Sequence, residues 1–448
     1  MGRLDDMAVS APAGGTVAPI APRTLEEARL PEPMLIELLL RQLSRAGELR
    51  AGEIAWKLGV ALPVIEPTLN FLRGEKLVEV PRRGSFDADV SYALTDLGRL
   101  RAAEAFEKCR YVGPAPVSLA DYVAQVQRQS MRGARVDRER LRTAFGDAVV
   151  PEALLARFGS ALNSGRSIYM YGASGTGKTY LAERMVRTAS GVIHVPHAIH
   201  VDGEIVQVFD PLVHRPVGEQ AGGSQLDRQA TGDRRWVRTA RPVVVTGGEL
   251  TLDMLDLELD AHSRFYIAPP QLKANNGMMV LDDLGRQRVP VRELMNRWIV
   301  PLDRNVDYMA LHTGTKFQVP FDVTVVFSSN LAPAEIGDPA FLRRLGYKIH
   351  VGPLDEDGYR EVFRQSCARA GLPPDDFGAD FLIRKLHVEN DLPLYATIPY
   401  DVISKLRDRA LYLGEQPRLD ADALRWAWDL YFAPDEDRSG ARSLDDLR

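Results

Sequence analysis

The chain has little cysteine, only Cys109 and Cys367 in 448 residues. The two lie far apart, so they build neither a disulfide framework nor a metal motif, and a reducing compartment is expected. Long apolar runs are missing as well: none approaches the roughly 20 residues that a membrane-spanning helix needs. Charge of one sign is not in excess either, because 56 basic and 61 acidic side chains leave a net charge of −5. Nucleic-acid binding would therefore need a local patch rather than whole-chain attraction. No charged-then-apolar signal pattern opens the chain, and the Ala/Pro/Gly/Val tract from Ala8 to Pro22 is expected to be disordered. The expectation is a soluble cytoplasmic protein without a membrane partner, with a length prior of about three domains.

What is present centres on Gly172-Ala173-Ser174-Gly175-Thr176-Gly177-Lys178-Thr179. The apolar run Ser167-Ile168-Tyr169-Met170-Tyr171 before it predicts a strand, and Tyr180-Leu181-Ala182-Glu183-Arg184-Met185-Val186 after it predicts a helix. That is the P-loop pattern in its strand–loop–helix setting. Glycines let successive N–H groups face one anion, and the helix N-terminus adds its positive dipole end. In such a loop Lys178 reaches the β- and γ-phosphates and the Thr179 hydroxyl holds Mg²⁺, so ATP and Mg²⁺ are the expected ligands.

A second signature is Met278-Met279-Val280-Leu281-Asp282-Asp283, four apolar residues ending in two carboxylates. The run suits a buried parallel strand and puts Asp282 at its C-terminal end, where α/β sheets bind ligands. Asp282 would hold the metal, and Asp283 would orient or deprotonate the attacking water. A third element, Val323-Thr324-Val325-Val326-Phe327-Ser328-Ser329-Asn330, reads as a strand ending in an amide. Arg343 and Arg344 then stand at a helix end before the strand predicted over 347–351.

This ordered set resembles the AAA+ ATPases, over roughly residues 140–432. The resemblance implies an α/β fold, a parallel sheet with helices on both faces followed by a helical lid. It makes 172–179 Walker A, Asp282 and Asp283 Walker B, Asn330 the polar sensor, and Arg344 the arginine finger, with Arg343 as runner-up. It also implies a ring-forming homo-oligomer, a hexamer, that hydrolyses ATP to remodel a protein client. Two departures stand out. Asp283 replaces the usual glutamate, and Tyr400 stands where many relatives carry the second-sensor arginine, leaving Lys405 and Arg407 as weak substitutes. Residues 307–319 read as a hairpin turning near Thr313-Gly314, which resembles the branch with MoxR-type ATPases.

Upstream, the sequence predicts helices over 34–43, 51–58 and 63–73, a two-stranded wing over 77–80 and 90–94, and a closing helix capped by Thr95 or Asp96. This order resembles winged-helix domains, whose third helix often enters the DNA major groove. Here Glu66, Pro67 and Asn70 would face outward, with Arg73 at the end and Arg82 and Arg83 at the wing tip. Glutamate and proline are poor company for phosphates. A protein partner is favoured, and a DNA-associated ATP switch is the alternative. The expected organisation is a tail over 1–31, the winged-helix-like module over 32–112, and a linker with a helical lead-in over 113–149. The nucleotide domain follows over 150–353, then the lid over 354–434 and a tail over 435–448.

Residues 191–242 exceed what a minimal nucleotide domain needs. Asp202-Gly203 marks a hairpin turn, and the stretch from Gly218 to Gly232 is polar and Gly-rich. Arg234, Arg235, Trp236, Arg238 and Arg241 form either a substrate-gripping loop or a solvated charged face. Strand alternation separates His197 from His194 and His200, which weighs against zinc.

Overall fold

The computed structural model describes residues 18–82, 86, 89–132, 135–218, 232–337, 339–374 and 376–432. Residues 1–17 of the expected tail over 1–31, all of the expected tail over 435–448, Arg83, and most of the Gly-rich stretch lie outside the described residues, whereas 18–31 carry the short helix Leu25–Ala28 and bury Ala28 and Leu30. The N-terminal module starts with the helix Glu32–Ala46, whose Leu35, Leu38 and Leu39 are fully buried. A short strand β1 (Glu48–Arg50) leads into the helices Ala51–Leu58 and Leu62–Gly74. Then come β2 (Val78–Glu79), β3 (Ser91–Leu94) and the helix Asp96–Lys108. Thr95 is the cap, accepting from the Gly98 N–H at 3.0 Å. The three strands form one antiparallel sheet in the order β1-β3-β2. The expectation of two strands missed β1, a segment too short to carry a periodicity.

The chain continues through β4 (Val117–Ser118) and two helices, Leu119–Arg128 and Arg138–Phe145. The helix Glu152–Ser164 precedes β5 (Ile168–Tyr171), and the helix Lys178–Val186 follows it. Next are β6 (Val192–Pro196), β7 (Ala198–Val201), β8 (Glu204–Gln207), β9 (Trp236–Ala240) and β10 (Val243–Thr246). Two short strands, β11 (Glu258–Leu259) and β12 (Tyr266–Ile267), precede β13 (Gly277–Leu284) and the helix Val291–Arg304. The hairpin β14 (Val306–Ala310) and β15 (Lys316–Pro320) leads to β16 (Val323–Ser329) and β17 (Tyr347–His350).

The main sheet has the order β10-β13-β16-β5-β17, and every pairing in it is parallel. Its central strands are apolar on both faces because both faces are covered. Met279, Leu281, Val325 and Phe327 pack with Leu294, Met295 and Trp298 of the helix Val291–Arg304. The alternate residues Met278, Val280 and Val326 pack on the other face with Phe158, Leu181 and Met185. The sheet and its helices on both faces are the architecture the sequence led us to expect.

A second five-stranded sheet, in the order β11-β12-β8-β7-β4, stands apart from the main one. Asp202 (φ 49°) and Gly203 (φ 82°) turn β7 into β8. β9 pairs antiparallel with β6, which corrects both readings for Arg235, Trp236 and Arg241. Trp236 is 8 % exposed, and the buried Arg235 forms an ion pair with buried Asp233 at 2.8 Å. Arg241 donates to the Gln129 and Asn276 carbonyls. These arginines hold the fold together, and Arg234 is the exposed one next to them. The three histidines do not converge: His200 Nε2 donates to the Arg29 carbonyl, while His197 lies against Phe209. Among the described residues no group of three or more His, Cys, Asp or Glu side chains could hold a metal ion.

The C-terminal region is helical, with Glu356–Ala370, Asp376–Asp380, a wider-wound turn Phe381–His387, Thr397–Leu413 and Ala421–Phe432. Tyr359, Phe363, Leu382, Val402 and Trp428 form its own core. No helix among the described residues is long and apolar enough to cross a membrane.

Candidate functional site

The loop after β5 is shaped by backbone that only glycine tolerates well. Gly175 (φ 82°) and Gly177 (φ 88°) are left-handed. A Cβ on Gly172 would lie 2.1 Å from the Val351 carbonyl oxygen at the end of β17. Thr176 Oγ1 donates to the Ala173 carbonyl at 3.0 Å and closes the loop on itself. The turn delivers Lys178 to the first position of its helix, with Thr179 next and exposed.

Lys178 is 6 % exposed, and all three of its ammonium donors are engaged. Nζ donates to the Gly172 and Ala173 carbonyls at 2.9 Å each and to Asn330 Oδ1 at 2.8 Å. Burial lowers its pKa, and the nearby charges of Asp283 and Asp282 pull the other way. The structure thus brings Lys178, Asn330 and the acidic pair into one place, at the C-terminal edge of the sheet.

The acidic pair sits on an irregularity that the sequence did not announce. The β13–β16 register slips between Leu281 and Leu284, and Asp283 is left-handed at φ 50°. Aspartate enters that region more readily than glutamate, which gives a conformational reason for the shorter acid. The Asp283 N–H donates to Asp282 Oδ1 at 3.0 Å. Gln287, which sequence reasoning passed over, braces the bulge. Its Nε2 donates to the carbonyls of Gly247 at 3.1 Å and of Asp282 and Asp283 at 3.4 Å, and its Oε1 accepts from the Gly285 N–H. No local pattern marks a glutamine for that task.

A cavity of about 720 Å³ opens beside the loop. Thr176, Gly177 and Tyr180 line one side, Val149 and Leu354 another, and Tyr400 comes from the lid. The volume is within the usual range for small-molecule sites. The lid touches the loop directly, since Thr397 N–H and Oγ1 both donate to the Gly175 carbonyl, at 3.2 and 3.3 Å. Asp147 ties the lid to the Lys178–Val186 helix, pairing with Arg369 at 2.7 Å and with Arg184 at 2.8 Å. Lys405 and Arg407 take no part in lining the cavity. Lys405 lies over the Tyr431 ring and Arg407 pairs with Asp408. Arg344 pairs with Asp303 at 3.1 Å, and Arg343 beside it is exposed.

Comparison with known proteins adds likenesses to this geometry. Residues 355–430 match a family described as a domain of unknown function, DUF8689. No curated protein matches the chain. Among solved structures, NtrX from Brucella abortus in complex with ADP is 16% identical with a TM-score of 0.38, covering 63% of this chain and 56% of its own. The Thermotoga maritima RuvB Holliday junction branch migration motor is 12% identical with a TM-score of 0.35, covering 65% of this chain and 72% of its own. NtrX in complex with ATP, 16% identical with a TM-score of 0.38, covers 84% of this chain and 76% of its own. These are distant likenesses.

The residues present suit a nucleoside triphosphate. The left-handed glycine turn lets the loop pack against Val351 and the lid residue Thr397 where a Cβ would collide, a lysine ammonium stands on the loop's own carbonyls, and a cavity of base-and-sugar size adjoins it.

Proposed function

We propose that the chain binds and hydrolyses ATP as an AAA+ type machine. The observation that carries this reading is the meeting of Lys178 with Asn330 beside Asp282 and Asp283, on a glycine loop at the sheet edge. On this reading the N–H groups of residues 172–179 and the Lys178 ammonium neutralise the phosphates. The base and ribose occupy the cavity under the lid. Thr179 and Asp282 would hold Mg²⁺, which supplies positive charge to the phosphate oxygens when bound. Asp283 takes the proton of the attacking water, whose oxygen bonds the γ-phosphorus as the bond to the β–γ bridging oxygen breaks. Asn330 orients that water or the γ-phosphate.

The same reading makes the protein a ring, a hexamer, in which Arg344, or Arg343 beside it, serves the neighbour's site and a protein partner is remodelled. What supports it is the order of motifs and the position of both arginines just ahead of β17. The hairpin β14–β15 supports the branch with MoxR-type ATPases. The winged-helix-like reading of 32–112 rests on its helix and strand order. Its alternative use, duplex DNA, is weakened by what faces outward, since Glu66, Pro67 and Asn70 are exposed and the exposed Arg82 has Glu48 3.8 Å away. ATP turnover measured against protein concentration, with and without duplex DNA, tests the reading. A steep rise per subunit that ignores DNA supports a self-assembling machine with a protein client, and a rate at background until DNA is added supports the switch.

A further inference from the structure

A second cavity, of about 530 Å³, lies where the N-terminal module meets the inserted strands, away from the ATP site. Its cations are Arg45, Lys57 and Arg234, and no carboxylate is among its lining residues. Neither a salt bridge nor a side-chain hydrogen bond engages these three cations among the described residues. Trp56 lines the same cavity and is 66% exposed, although most tryptophans bury their rings. His197 lies across from them, its pKa lowered by burial, so it adds no charge at neutral pH.

The cations are placed by structure rather than left on loose surface. Trp56 and Lys57 ride on the helix Ala51–Leu58, which ends at left-handed Gly59. A Cβ there would stand 3.0 Å from the backbone of Arg234 and Arg235, so the glycine lets the inserted strand come close. Arg235 then locks the approach, pairing with buried Asp233 and donating through Nη1 to the Ala28 carbonyl at 3.1 Å. Arg234 is thereby carried to the side of Trp56 from a segment nearly two hundred residues away in sequence.

We infer that this cleft binds single-stranded nucleic acid, with a base on the Trp56 ring and backbone phosphates on Arg45, Lys57 and Arg234. A positively charged groove beside an exposed aromatic face is how proteins hold single strands without reading sequence. A duplex keeps its bases stacked and could use only the charges. An acidic peptide without aromatic residues, such as polyglutamate, likewise has no flat ring to set on Trp56. The open cleft, with its ring and cations exposed, suits a strand passing through more than an enclosed free nucleotide. The inference is independent of the ATPase reading, because binding is measured without nucleotide.

The test is fluorescence anisotropy of labelled oligothymidylate of about 12 nucleotides, a length within the usual site size. The full chain is used, with a duplex of equal length and a polyglutamate peptide as competitors. The expected result is salt-sensitive binding of the single strand, with the slope reduced by about 0.7 for each cation removed in Lys57→Gln or Arg234→Gln. Trp56→Ala should weaken binding about tenfold or more, and Trp56→Phe should restore most of it. All three side chains are exposed, so the variants are expected to melt like the wild type. No binding at low salt, equal competition by duplex or polyglutamate, or affinity unchanged in Trp56→Ala would each overturn the inference.

Discussion

Lys178 Nζ lies 2.8 Å from Asn330 Oδ1, across 152 residues of sequence. The contact exists because β5 and β16 are parallel neighbours, so the loop that follows one strand faces the residue that ends the other. Two separate motifs therefore become one device. Asn330→Ala should leave the Lys178 ammonium with only its two loop carbonyls. Turnover is expected to fall by about tenfold to a hundredfold while ATP affinity changes little, since the role proposed for Asn330, orienting the attacking water or the γ-phosphate, is exerted chiefly in the transition state. Separate measurement of nucleotide affinity and single-turnover rate checks this.

The left-handed Asp283 gives a conformational prediction. Asp283→Asn keeps a side chain that tolerates φ 50° but removes the base, so stability should hold while turnover drops. Asp283→Glu keeps the acid but strains the backbone, with a cost of up to roughly 1–2 kcal/mol. Thermal melts beside turnover rates separate the two. Equal melting of all three proteins would remove the conformational reason for aspartate.

Gly172→Ala should be more damaging than its size suggests. The new methyl would meet the Val351 carbonyl oxygen at 2.1 Å, and neither strand end can move far inside the packed sheet. Loss of nucleotide binding together with a lowered melting temperature is expected.

Asp147 joins the lid to the core, and its carboxyl titrates below the usual value. Burial alone would raise it, but the Arg369 hydrogen bond and the Arg184 charge outweigh that. A lowered folded pKa gives stability that is present above the unfolded value and is lost as pH falls through the folded one. Asp147→Asn should therefore cost up to about 1 kcal/mol for each partly exposed pair at pH 7. The difference from wild type should close below about pH 4. Melting curves across pH show whether it does.

Much of the fold could be read from the chain. Met278 to Leu281 and Val323 to Phe327 announced buried parallel strands by being apolar without alternation, and Asp202-Gly203 marked its hairpin. The phosphate loop was legible because its chemistry is local and contiguous. The cavity beside it was not, because Val149, Leu354 and Tyr400 come from three separate segments, the first two carry no motif, and Tyr400 departs from the arginine expected at its place. The bulge at Asp283 and its brace Gln287 were hidden for a related reason: a register slip depends on the partner strand. The basic stretch misled because an arginine pattern looks the same on a surface as in a buried pair. Only Asp233, two residues before Arg235, held the answer.

In the proposed ring, Arg344→Ala should lower turnover by about a thousandfold with ATP binding kept. Asp303→Asn serves as its control, because it breaks the same ion pair from the other side. A loss in Arg344→Ala alone supports a role toward a neighbour's phosphate, and equal losses would reduce Arg344 to a structural tie.

The most direct test of the central claim is phosphate release from MgATP by the full chain, beside Lys178→Ala prepared in the same way, with binding of a fluorescent ATP analogue followed in both. The account predicts turnover and saturable binding in the wild type, and loss of both in the variant. Wild-type protein that binds no nucleotide, or a variant that turns over ATP at the wild-type rate, would contradict it.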